Sequence, residues 1–305
     1  MPGIGYFAIK TALMKTQSAF ITGATAGIGK ATALALARLG WHVCVHGRKS
    51  ASCQTTVADI KKSTGNESID FVTADLSDLS QVHALADRVT FQAPQLNILV
   101  LNAGTFAPQR HRTVDGWERT WAVNYLSRFL LTHLLLDHLA QNGPSRIIDV
   151  SGAYHAKGKI HWNDITLARG YSMSQANNQS KLANVLFTYR MDRYLQGSPV
   201  TINTLHPGAV NTGAVLRTAG LSGFTKTMYR LMSPFFKSPE RGAATSIYLA
   251  SSPEVEGISG KYFVNQKPRQ STAVSYDLPL QERLWFRSQE MIEDSLGLSL
   301  AQVKV

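Results

Sequence analysis

Two clusters in the chain have the composition to hold an anionic ligand. The run Ile21-Thr22-Gly23-Ala24-Thr25-Ala26-Gly27-Ile28-Gly29-Lys30 places three glycines among small residues, between a short apolar run and a helix-like stretch. Such a turn closes tightly and lets a pyrophosphate approach backbone N–H groups. The start of the following helix adds partial positive charge. The second cluster, His46-Gly47-Arg48-Lys49, ends the next apolar run. A site for NAD ordinarily carries Asp or Glu here for the ribose hydroxyls, whereas Arg accepts a 2′-phosphate. No acid is nearby and two cations, Arg48 and Lys49, are present, which favours NADP(H).

The elements that must position these clusters follow from the spacing of apolar residues. Strand-like runs cover 19–22, 42–46, 69–73, 98–101, 146–150, 200–205 and 262–264. Helical spacing covers 31–39, 55–62, 79–91, 121–139, 179–195 and 243–250. This alternation predicts an α/β fold, a single-domain Rossmann-type doubly wound parallel sheet with helices on both faces. The domain is expected over 17–297, with an N-terminal extension at 1–16 and a tail at 298–305. Two long connections follow strands and should lie at the carboxyl edge, where such sheets bind ligands. The first, 152–175, contains Tyr154, His155 and Tyr171. The second predicts a lid at about 214–238 over a lipophilic small molecule. It offers Leu221, Phe224, Met228, Tyr229, Leu231, Met232, Phe235 and Phe236, and from Thr225 onward the apolar positions could line one helical face while Lys226, Arg230 and Lys237 reach water. An ordinary core helix and weak contact with an anionic membrane surface stay open for the same segment.

Composition narrows the class. The 305 residues carry 31 Lys+Arg and 20 Asp+Glu, a formal charge of +11, and 44% are hydrophobic, enough for a full core. Two cysteines, Cys44 and Cys53, exclude a disulfide scaffold and a cysteine-rich zinc site, and no metal is expected. No block of five basic residues or aromatic-basic module points to nucleic acid. No run reaches the length of a spanning helix, and 1–17 lacks a cleavage site, so a cytoplasmic protein is expected.

The motifs, taken together, resemble the short-chain dehydrogenase/reductase family. Thr22-Gly23-x-x-x-Gly27-x-Gly29, Asp75-Leu76 and Asn102-Ala103-Gly104 occur in its order, as do Asn124, the pair Ser180-Lys181, and Pro207-Gly208-x-x-x-Thr212. The run from Ser180 to Phe187, His206-Pro207-Gly208 and Gly260-Lys261-Tyr262-Phe263 look like its retinol-dehydrogenase-like branch. The resemblance covers about 17–290. It implies that Asp75 and Leu76 lie near the adenine and that Asn102, Ala103 and Gly104 lie beside the adenosine. By the same resemblance Pro207, Gly208 and Thr212 flank the nicotinamide, and Lys181 meets its ribose. It also implies a homodimer or homotetramer, often through paired long helices.

The family's chemistry resembles carbonyl reduction or its reverse, in which a Tyr moves the proton, a Lys lowers its pKa, and a Ser polarises the carbonyl. Here the pattern departs. The Tyr position, four residues before Lys181, is Asn177, and the Ser position is Gly152, preceded by Ser151. An amide donates hydrogen bonds but does not titrate usefully. Asn124 and Lys181 remain, with Asn177, Ser151 and Tyr154 as candidate substitutes. The leading expectation is an NADP(H) enzyme acting on a lipophilic alcohol, aldehyde or ketone. A non-redox cyclase, isomerase or lyase, and a non-catalytic NADP-binding protein, are the alternatives.

Overall fold

Short apolar runs become strands here because both of their faces are buried. Ala19 and Ile21 enter one core cluster while Phe20 enters the other. Val43 and Val45 are likewise divided from Cys44, and Ile98 and Val100 from Leu99 and Leu101. Continuous apolar strands of this kind belong to a parallel sheet covered on both sides. The computed structural model describes residues 17–213, 216, 218 and 220–300. The extension at 1–16, the lid residues Ala214, Val215, Arg217 and Ala219, and 301–305 of the tail lie outside the described residues.

The strands are β1 (Ser18–Ile21), β2 (His42–Gly47), β3 (Ile69–Thr73), β4 (Ile98–Leu101), β5 (Ser145–Val150), β6 (Val200–His206), β7 (Lys261–Val264) and β8 (Lys267–Arg269). Their order in the sheet is β3-β2-β1-β4-β5-β6-β7-β8. All neighbouring pairs are parallel except β7 with β8. The periodicity reading ends at 264 and misses β8. This strand returns through Asn265 and Gln266, both at positive φ (50° and 63°), as in a two-residue hairpin turn. Pro268 is tolerated because β8 is the sheet edge.

Among the described residues, the α-helices longer than one turn are α1 (Gly27–Arg38), α2 (Ser50–Thr64), α3 (Leu79–Gln92), α4 (Ser127–Gln141), α5 (Met173–Tyr194), α6 (Gly223–Met232), α7 (Pro239–Ser251) and α8 (Leu278–Leu296). α5 starts six residues before the expected 179, because Ser172 caps it by accepting from the Gln175 N–H at 3.2 Å. The single helix expected over 121–139 is interrupted by a π-helical turn, Ala122–Leu126, which carries Asn124. Such bulges re-aim a side chain at the expense of regular hydrogen bonding.

α8, also unforeseen, runs from the Asp277 cap, with proline in its first turn, to Gly297 in the left-handed conformation. Its Trp285 meets Phe129 edge to face and stacks on Phe187, with ring centroids 5.2 and 6.2 Å away. Its Ser288 hydroxyl bonds Tyr125 at 2.7 Å. These contacts seat α8 on α4 and α5. No described helix is long and apolar enough to cross a membrane.

Candidate active site

The strand order reverses between β1 and β4, so the chain leaves these two strands in opposite directions and opens a crevice at their carboxyl ends. A cavity of about 490 Å³ occupies that crevice. Thr22, at the end of β1, fixes its floor: its hydroxyl accepts from the N–H groups of Asn102 and Ala103 at 2.9 and 3.0 Å. The Asn102 amide donates back to the carbonyls of Thr22 and Gly23. His46 holds the loop from the other side, with Nδ1 accepting from the Gly23 N–H at 3.1 Å and Nε2 facing the Ala74 carbonyl at 3.2 Å. Burial pushes the His46 imidazole down to about 4, so it stays neutral and able to accept.

This loop has the features of a phosphate cradle. A Cβ on Gly29 would lie 2.5 Å from the Asn102 amide, and one on Gly23 would lie 2.9 Å from the Ala103 Cα. Gly23 and Gly27 also adopt φ of 64° and 55°. α1 begins here without a side-chain cap and without an acid in its first turn, which leaves its positive end for an anion. A dinucleotide fits this arrangement. Gly23, Thr25, Gly27, Ile28, Gly29, Arg48, Asp75, Leu76, Asn102, Ala103, Gly104, Pro207 and Thr212 all line the cavity. Gly208 and Lys49 do not: Lys49 stands at the start of α2, and Gly208, at φ 92°, packs on the Lys237 stem.

The other end of the cavity is built from β5, the π turn and α5. The Asn124 carboxamide accepts from the Thr105 N–H at 2.7 Å and donates to the Thr105 carbonyl and the Ser180 hydroxyl. Ser180 in turn donates to the Asn177 carbonyl at 2.9 Å. Lys181 Nζ donates to the Val150 carbonyl at 3.1 Å. Beneath it, the Arg128 guanidinium donates to the Asp149 carboxylate and to the carbonyls of Val150 and Ala103. This pair is buried and ties the exits of β4 and β5 together. Burial, with Arg128 nearby, pushes the Lys181 ammonium down to about 7, while Asp149 pulls the other way.

The structure brings Asn124, Asn177, Lys181 and Ser151 to this end of the cavity. The Ser151 hydroxyl, however, donates to the Lys181 carbonyl at 2.9 Å. The β5–β6 ladder reaches it without a bulge, its N–H meeting the Leu205 carbonyl at 2.9 Å. Tyr154 lies outside the cavity lining in a 3₁₀ turn, 59% exposed. The sequence reading missed Thr105, Phe106, Arg119 and Val123, which also line the site. Among the described lining residues, the titratable side chains are His46, Arg48, Asp75, Arg119 and Lys181, and Lys181 lies one turn of α5 after Asn177.

A model of the short chain dehydrogenase family matches residues 17–219. Polyprenol dehydrogenase from Homo sapiens is 38% identical over 279 residues, covering 90% of this chain and 84% of that protein. Retinol dehydrogenase 14 from Homo sapiens is 37% identical over 294 residues, covering 92% of this chain and 87% of that one. Among solved structures, an uncharacterized protein from Mycobacterium paratuberculosis matches with a TM-score of 0.72 at 26% identity, over 92% of this chain and 94% of its own.

Proposed function

The chain belongs to the short-chain dehydrogenase family and is an oxidoreductase, and from that premise we propose that it works with NADP(H) on a lipophilic alcohol or carbonyl, with Lys181 handling the substrate proton. One observation carries the reading. A single cavity runs from the glycine cradle and Arg48 to Asn124, Asn177 and Lys181. The named relatives act on polyprenol and retinol, both isoprenoid alcohols, which supports a substrate of that class.

Held by the glycine cradle and Arg48, a nicotinamide cofactor would supply the hydride for carbonyl reduction or take it up in alcohol oxidation. The chain's residues do the rest. Asn177 presents its amide to the substrate oxygen, where negative charge develops in reduction, while Asn124, bonded to Thr105 and Ser180, holds the wall of the site in place. The Lys181 ammonium gives up a proton to that oxygen in reduction, and the neutral amine takes one in oxidation. A group with a pKa near 7 serves both directions near neutral pH. Reduction should therefore fall as pH rises through the Lys181 pKa, and oxidation should rise. An anionic cofactor favours the charged ammonium, so the break in the loaded enzyme should lie at or above 7.

Arg48 is the group placed for a 2′-phosphate. Arg48→Ala should weaken NADPH binding roughly 10- to 100-fold, the worth of a charge-assisted hydrogen bond, and leave NADH binding nearly unchanged. Fluorescence titration with both cofactors tests this. Equal losses for the two, or a wild-type protein that does not prefer NADPH, would contradict the cofactor assignment.

A further inference from the structure

Beyond Thr212, α6 presents an apolar face that no described residue covers. No residue of α6 is buried. Phe224 is 77% exposed, Leu231 65% and Phe235, just beyond the helix, 89%, with Met228 and Met232 between them. Their spacing puts all five on one side of the helix. The opposite side is anchored: Tyr229 donates to Asn211 at 2.9 Å, and Lys237 pairs with Ala209 and Asn211 through its backbone. α6 is thus strapped to the loop that carries Thr212, at the rim of the cavity. Contiguous exposed apolar surface on a soluble domain usually marks a docking site.

The charge around the face suggests its partner. No Asp or Glu occurs between Asp192 and Glu240, or between Glu256 and Asp277. The first interval contributes the exposed Arg230, and the second contributes Lys267 and Arg269 on the exposed edge strand β8. Lys237 joins the two intervals by donating to Asn265 at 2.8 Å. A second copy of the chain placed on this face would oppose like charges. An anionic surface would complement them.

We propose that α6 and the β7–β8 hairpin dock the protein on an anionic phospholipid bilayer. The apolar stripe enters the headgroup–acyl boundary while the surrounding cations meet anionic headgroups. Neither part would hold well alone, because a short stripe gives marginal affinity and exposed cations are screened within about 10 Å at ordinary salt. The docked orientation brings the cavity rim to the phase in which an isoprenoid alcohol dissolves. That last consequence rests on the proposed function, whereas docking itself does not.

Flotation of the full chain with vesicles of phosphatidylcholine, alone or with phosphatidylserine, tests the proposal. The protein should float with the phosphatidylserine vesicles and be released by added salt. Leu231→Glu with Phe235→Glu should cut binding about tenfold, and so should Lys267→Glu with Arg269→Glu. All four side chains are on exposed positions, and circular dichroism melts should match the wild type. Absence of flotation with either vesicle, equal flotation with both, or undiminished binding of both variants would overturn the proposal. So would self-association that Phe235→Glu abolishes in the absence of vesicles. Flotation without any carbonyl reduction would leave docking standing and count against the proposed chemistry alone.

Discussion

Asn177→Tyr combined with Gly152→Ser should raise NADPH-dependent carbonyl reduction by about 10²–10⁴-fold, the usual worth of a positioned general acid, with an oxyanion donor adding to it. The geometry leaves room for both side chains. Asn177 lines the cavity one turn of α5 before Lys181, on the same face. A Cβ on Gly152 would meet the Lys181 stem at 3.9 Å, an ordinary contact, and the backbone there is extended, with φ 171°. In the variant the phenol, held acidic by the neighbouring ammonium, would take over the proton from Lys181. Steady-state NADPH oxidation with a panel of lipophilic aldehydes measures the change. No gain, with cofactor affinity unchanged, would mean that the missing hydroxyls are not what holds back reduction.

The second large effect concerns the ion pair under the site. Arg128→Met should lower folding stability by about 3–5 kcal/mol, because it leaves the Asp149 carboxylate buried without its cation. Arg128 is 3% exposed and Asp149 0%. The pair is not fully satisfied either: Asp149 Oδ2 and Arg128 Nε have no hydrogen-bond partner among the described residues. Replacing both residues, Arg128→Met with Asp149→Leu, should therefore recover most of the loss. Urea unfolding of the two single variants and the double variant makes the cycle. Additive losses would show that the two side chains do not stabilise each other. Folded Arg128→Met, with Asp149 retained, should also show its activity break at higher pH, since that guanidinium helps to hold the Lys181 ammonium down.

Most of the parallel sheet was legible because each strand is a brief apolar run, and the glycine cradle because small residues there are a steric requirement of the turn. The interruption at Asn124 was not legible. Apolar spacing continues unbroken through the π turn, and only the hydrogen bonds to Thr105 reveal that the helix is re-aimed. β8 escaped because its three exposed residues, Lys267, Pro268 and Arg269, carry no alternation. α8 could have been found from its ends, where Asp277, Pro279 and Gly297 are a cap, a first-turn proline and a left-handed stop.

At the site, local motifs located what backbone geometry dictates and missed what loop folding brings in. Arg119 and Phe106 reach the cavity because the connection after β4 folds over it, a tertiary event with no local signature. Arg128 and Asp149 did leave a trace. One cation in the apolar run of α4 and one anion in the apolar run of β5 are costly unless they meet. Tyr154 illustrates the opposite error: proximity in sequence to the Ser position suggested a substitute hydroxyl, but the 3₁₀ turn directs it to solvent.

The most direct test of hydride transfer through this substituted site follows the isotope. NADPH deuterated at C4 of its nicotinamide is incubated with the protein and a lipophilic aldehyde, and the product alcohol is weighed by mass spectrometry. Hydride transfer should give an alcohol carrying one deuterium at its carbinol carbon, formed in step with the loss of NADPH absorbance. Substrate converted without deuterium, while NADPH absorbance holds steady, would contradict it.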